Sequence, residues 1–121
     1  MSIDLDIDIE KEDTITILSV RGELDDYHAP KLNETFSQVI EQDNCKKVIV
    51  DLDGTTFIDS VGLGTLAIAS KKIGSVDGHI KLVCTKSQIT KLIDASGIID
   101  AMKASLGIVD SIENAKASLK S

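Results

Sequence analysis

Three oxygen-bearing side chains in one short stretch carry the chemistry this sequence could do. Asp51 and Asp53 lie two apart in Val48-Ile-Val-Asp-Leu-Asp-Gly-Thr55, and Ser60 follows in Asp59-Ser-Val-Gly-Leu-Gly64. Paired carboxylates at the end of a strand suit a nucleophile and a general acid/base with magnesium between them. A serine where a strand turns into a helix suits capping, nucleophilic attack or phosphorylation, because its hydroxyl sits at the unpaired N–H groups of the helix start. Asp25 and Asp26, in Gly22-Glu-Leu-Asp-Asp26, form a second acidic pair, with capping and binding roles both open. His28 and His79 are isolated from other ligand types, so each reads as a surface or turn histidine. Ser60 lacks the Gly-x-Ser-x-Gly elbow of a hydrolase.

The elements that must position these groups follow from periodicity. Ile3, Leu5, Ile7 and Ile9 alternate with Asp4, Asp6, Asp8 and Glu10, which predicts a strand with one buried and one wet face. Its acidic row discourages edge-to-edge pairing. Glu10 to Asp13 reads as a polar turn, and Ile15, Ile17 and, after a shift, Val20 make the second strand of a hairpin. Pro30 suits a first helical turn, and Leu32, Phe36, Val39 and Ile40 predict a helix from about Ala29 to Gln42. Lys47 to Leu52 is nearly all apolar, as a central strand covered on both faces would be. A helix runs from Ser60 to about Gly74, with Leu63, Leu66, Ser70 and Ile73 on one face. Ile80 to Cys84 is a further strand, followed by a helix capped by Ser87 and stopped by Gly97. Ile108-Val109 makes a short last strand, and Asp110-Ser-Ile-Glu113 resembles a capping box, Asp110 capping and Glu113 reaching back, for a helix through Leu119. The expected fold class is α/β: a mixed sheet opened by a hairpin, with helices packed on it, in one domain spanning residues 1–121.

Composition narrows the partners. The 121 residues carry a net charge of −7 with no basic cluster, which argues against direct nucleic-acid binding or an anionic membrane. Tyr27, Phe36 and Phe57 are the only aromatic residues, so there is no stacking platform for single strands. No apolar run approaches the ~20 residues of a membrane span. The alternating N-terminus is unlike a signal peptide. Cys45 and Cys84 read as reduced thiols in a cytoplasmic protein. No metal or other cofactor is expected.

Two resemblances bear on function. Residues 48–55 look like the first motif of haloacid dehalogenase-type phosphatases, which would make Asp51 the nucleophile and Asp53 the general acid/base. In that family the motif ends the first strand and a large domain follows. Here two strands and a helix precede it, and only 66 residues follow Thr55.

The second resemblance covers nearly the whole chain. Arg21-Gly-Glu-Leu-Asp25 with Ala29 following, Val48-Ile-Val-Asp-Leu52 and Phe57-Ile-Asp-Ser-Val-Gly-Leu-Gly64 resemble the STAS domain, in particular the stand-alone anti-sigma factor antagonists of bacteria. The resemblance implies a binding protein with no catalysis of its own. It implies that the unmodified chain binds an anti-sigma factor that is also a serine kinase, freeing a sigma factor. Phosphorylation at Ser60 would end the interaction, and a metal-dependent serine phosphatase would reset it. Many relatives carry Ser or Thr after the phosphorylated serine; Val61 here leaves one hydroxyl in the motif. Asp25, Asp26, Asp59, Ser60, Val61, Gly62 and Leu63 are the expected partner-binding residues. STAS domains also serve other signalling and lipid-transport complexes, and that alternative stays open at the level of sequence.

Overall fold

The computed structural model describes residues 4–120. Its order is β1 (Asp6–Glu12), β2 (Ile15–Leu24), α1 (Ala29–Ser37), a π-helical turn (Gln38–Gln42), β3 (Lys47–Asp51), β4 (Thr55–Ile58), α2 (Ser60–Gly74), β5 (His79–Val83), α3 (Ser87–Ser96), α4 (Ile98–Ala101), β6 (Leu106–Val109) and α5 (Ile112–Leu119). The six strands form a mixed sheet in the order β1-β2-β3-β5-β6, with β4 against the end of β2. Only β1 runs antiparallel to its neighbour; the other pairings are parallel. The expected α/β class is therefore found. No helix among the described residues is long and apolar enough to cross a membrane.

Apolar residues face both ways because the sheet is covered on both sides. Leu18, Val20, Val48, Val50, Ile80 and Leu82 join the large core under α1 to α4. Ile15, Ile17, Ile49 and Val83 join a smaller core under Ala115 and Leu119 of α5. The irregular spacing Ile15, Ile17, Val20 thus reflects two buried faces of β2 rather than a shifted register.

The bend of β2 sets up the site. Its first half, Ile15 to Ser19, pairs with β3, and Gly22 to Leu24 pair with β4 across an irregularity between Gly22 and Glu23. Gly22 has φ +113°, and a Cβ there would lie 3.3 Å from the Asp4 carbonyl oxygen. Glycine is the residue that tolerates both demands.

Several boundaries differ from expectation. Leu5 is buried and Ile7 partly so, but Ile9 is 46% exposed, in the middle of an edge strand that has a neighbour on one side only. Ile3 lies outside the described residues. β1 continues through Glu12, and the turn is made at Asp13 with φ 55°, a conformation aspartate accepts. The helix expected to Gln42 widens after Ser37 into a π turn, where Asp43 N–H donates to Gln38 C=O at 2.9 Å. Widening keeps the adjacent Val39 and Ile40 both buried. Gly97 ends α3 at φ 76° as expected, but Lys86 rather than Ser87 holds the N-cap position. At α5 the cap is Ser111, whose Oγ accepts from Asn114 N–H at 3.0 Å, not Asp110. Asp110 Oδ1 instead accepts from Asn114 Nδ2.

Candidate functional site

All five parallel strands finish at one end of the sheet, where clefts and loops collect in open α/β folds. Leu24 and Ile58, the last residues of β2 and β4, are paired there. The loop after β2 and the turn after β4 therefore begin side by side.

Asp59 joins them. It caps α2, with Oδ1 accepting from Gly62 N–H at 2.9 Å. Its Oδ2 accepts from Asp26 N–H at 3.0 Å. Its own N–H donates to Leu24 C=O at 3.3 Å, and its C=O accepts from Leu63 N–H at 2.9 Å. One residue thus binds both segments through side chain and backbone. The capping role open to Ser60 belongs to Asp59, which stands one place earlier and offers two charged acceptor oxygens.

Ser60 is left as the first residue of α2, exposed, with no hydrogen bond from Oγ to another described residue. Gly62 and Leu63 have their N–H groups occupied by Asp59, so the open amides of this turn are those of Ser60 and Val61. Gly62 is buried, and a Cβ there would strike the Leu24 carbonyl oxygen and crowd Ile58 Cγ1 at 3.1 Å. The glycine lets α2 seat against the end of β2. Gly64 is different: a Cβ there would meet nothing within 4 Å. Its bare backbone faces open space.

The acidic loop divides its labour. Asp25 turns inward, with Oδ1 accepting from His28 N–H at 3.0 Å and lying 2.8 Å from His28 Nδ1. Its C=O accepts from Ala29 N–H at 2.8 Å. Burial raises its pKa, yet the hydrogen bonds and charge of His28 prevail and hold the carboxyl below its ordinary range. His28, expected at the surface, is 8% exposed, and its Nε2 has no partner among the described residues. It is a loop brace. Asp26 is exposed, and neither Asp26 nor Asp59 has an ion-pair partner among the described residues.

Apolar groups frame this acidic corner. Tyr27 is 75% exposed and stands edge-on to His28, and Val61 is 47% exposed. Val61, Gly64 and Ile68 follow helical spacing along the outer face of α2, with Ile68 also exposed. Leu63 is only partly exposed and packs against the large core. Among the expected residues, Asp26, Ser60 and Val61 are thus outward-facing, whereas Asp25, Asp59 and Gly62 build the frame. Tyr27 and Ile68 are not marked as site residues by the sequence. The apolar 61–64–68 spacing, opposite Leu66 and Ile73, was the available signal.

Comparison with known proteins decides between the two resemblances. The family model described as the STAS domain matches residues 6–115. The chain belongs to the STAS domain family. It is 28% identical over 105 residues to the anti-sigma-B factor antagonist of Staphylococcus aureus strain NCTC 8325 / PS 47, covering 87% of this chain and 96% of the relative. An anti-sigma factor antagonist from Mycobacterium paratuberculosis has the same fold, with a TM-score of 0.87 at 24% identity over the whole of both chains. The phosphorylated form of the Bacillus cell fate determinant SpoIIAA superposes with a TM-score of 0.71 at 19% identity, over 95% of this chain and all of that one.

In this STAS domain the Asp51-x-Asp53 pair braces loops. Asp51 Oδ1 accepts from Asp53 N–H at 3.0 Å. Asp53 Oδ1 accepts from Thr85 N–H at 2.7 Å and from Thr85 Oγ1 at 3.1 Å, tying the β3–β4 turn to the β5–α3 turn. Among the described residues no three His, Cys, Asp or Glu side chains cluster as a metal site. Beside them, burial pushes the Cys84 thiol up, reinforced by Asp53 and Asp51 against a lowering contact with Lys86, as an unreactive thiol requires.

Proposed function

We propose that this STAS domain is a cytoplasmic anti-sigma factor antagonist switched at Ser60. The unmodified chain, acting as one domain, binds an anti-sigma factor that is also a serine kinase, and a sigma factor is freed. The kinase phosphorylates Ser60 and the complex parts. A metal-dependent serine phosphatase restores the binding form. Catalysis lies with those partners, and this chain contributes a surface and an acceptor hydroxyl.

The observation that carries this reading is the state of Ser60. Its hydroxyl is exposed and has no hydrogen-bond partner among the described residues, while its neighbour Asp59 does the capping. A kinase can take that oxygen without dismantling the helix start. Asp26, Tyr27, Val61, Gly64 and Ile68 form the surface around it, with Asp25, Asp59 and Gly62 beneath and Leu63 at its margin. A phosphate adds about 1.5 to 2 negative charges beside Asp59 and Asp26, which have no ion-pair partner among the described residues. Placed in an interface without compensation, that charge costs about 3–5 kcal/mol, or roughly 10²–10³-fold in affinity. The names of the curated relatives support the same reading.

The test is a titration of phosphorylated and unmodified protein against the same kinase partner at two salt concentrations. Weaker binding of the phosphorylated form, partly recovered in high salt, is expected, because salt screens exposed charge. Equal affinity of both forms would end the proposal.

A further inference from the structure

β6 is the outermost strand on the side of the sheet away from the hairpin. In a parallel ladder alternate residues turn their backbone groups toward the neighbour. Ile80 N–H donates to Ser105 C=O at 2.7 Å, and Cys84 N–H donates to Val109 C=O at 3.2 Å. With the register Leu82↔Ile108, that phase gives Ser105, Gly107 and Val109 to β5 and turns the main chain of Ile108 and Asp110 outward. No backbone partner meets Ile108 N–H, Ile108 C=O or Asp110 N–H among the described residues.

A groove of about 770 Å³ runs past this edge. Thr90 and Asp94 of α3 wall one side, Asn114 and Ala117 of α5 the other, and Ile108 and Asp110 contribute the strand. The groove therefore combines a row of free main-chain donors and acceptors, apolar floor groups and two carboxylates. Neither Asp94 nor Asp110 is ion-paired among the described residues.

We propose that the outer edge of β6 accepts an extended cationic segment of a partner protein as an added strand. Ile108 N–H and C=O and Asp110 N–H would hydrogen-bond the guest main chain, the commonest way an exposed sheet edge recognises a peptide. Guest side chains would alternate between the two faces of the sheet: the set bearing lysines or arginines would pass Ile108 toward Asp94 on the α3 side, with Asp110 at the strand's end, and the apolar set would lie on Ala117 on the α5 side. The exposed edge is short, which suits a brief peptide contact and limits sheet-to-sheet aggregation. The site lies at the far edge of the sheet from β4 and does not depend on the role of Ser60.

The test uses the isotope-labelled full chain and an acetylated, amidated Lys-Val-Lys-Val-Lys peptide, with Glu-Val-Glu-Val-Glu as control. The basic peptide should give saturable amide shifts, with slowed exchange at Ile108 and Asp110; the acidic one should give neither. Ile108→Pro removes an outward N–H without breaking the β5 ladder, a place where proline is tolerated. It should weaken binding by roughly tenfold, the scale of one or two lost hydrogen bonds, whereas Ile108→Val should bind as wild type. If Ile108→Pro does not fold, Asp94→Lys decides: it should weaken the basic peptide by about two- to fivefold or more, the effect of an exposed ion pair. Ser60→Asp should leave this binding unchanged. Protection confined to β1 or to the Asp25–Asp26 loop, equal binding of both peptides, or no binding would overturn the proposal. Concentration-dependent protection of Ile108 with no peptide present would overturn it in favour of a second copy of the chain.

Discussion

Replacing Asp59 with alanine removes two interactions at once. The N-cap bond to Gly62 N–H is 2.9 Å and the loop bond to Asp26 N–H is 3.0 Å. Loss of an aspartate cap costs about 1 kcal/mol, with a range of about 0.5–2. The Asp26 amide lies in an exposed loop where water can replace the carboxylate, so that loss is held to about 0.5–1.5 kcal/mol. Together the variant should lose about 1–3.5 kcal/mol. For a chain of 121 residues each kcal/mol moves the thermal midpoint by about 3–5 °C. The midpoint should therefore fall by about 3–18 °C. Asp59→Asn keeps a good capping oxygen and should lose less than half as much. Urea unfolding with an unchanged slope would show that stability, not denatured-state compactness, has moved. Hydrogen exchange should accelerate at both Gly62 and Asp26 in Asp59→Ala. An unchanged midpoint, or exchange that accelerates at Gly62 alone, would refute the role of Asp59 as a two-way tie.

Ser60→Ala should alter stability by no more than about 0.5 kcal/mol in urea unfolding, since Ser60 is exposed and the cap is its neighbour. Ser60→Asp should bind the kinase partner less well than Ser60→Ala in a calorimetric titration. Gly62→Ala should destabilise the fold by about 1–3 kcal/mol through the clash at the Leu24 carbonyl, whereas Gly64→Ala should stabilise it by about 0.5–1 kcal/mol in the same assay while obstructing the partner. Asp25 has a folded-state pKa below its ordinary value, so its stabilising effect is full above the ordinary aspartate range and is lost as pH falls through the lower folded value. Wild type should consequently lose more stability than Asp25→Asn between pH 7 and about pH 3.

Long periodic segments were legible from sequence. α2 ends at Gly74 and α3 stops at Gly97 as expected, because a sustained apolar face and a left-handed glycine are local signals. β4 and α4, each four residues, carry no sequence signal of their own, since neither has room for a period. β4 exists because Thr55 and Ile58 find buried places beside β2, a tertiary fact. At the site, the Asp59–Gly62 turn was legible, and only the family resemblance, not a local signal, grouped it with the acidic loop. The division of roles was not. Nothing local distinguishes Asp25, turned onto a buried His28, from exposed Asp26. Nor does the spacing of Gly62 and Gly64 reveal that the first is demanded by packing and the second by no contact at all.

The joint made by Leu24 and Asp59 has a consequence for rate. Leu24 C=O accepts from Asp59 N–H and lies against Gly62, while Asp59 holds Asp26. Loop and serine turn are clamped to the ends of two paired strands, so they reorient as one body. On the proposed function, a phosphate on Ser60 would be read on a stiff surface, with no segment to melt and re-form between states. Local unfolding takes microseconds to seconds, and a switch that worked on this clamped surface would not wait for it. The tempo of such a switch is set by how fast the partner dissociates and how fast its enzymes add or remove the phosphate.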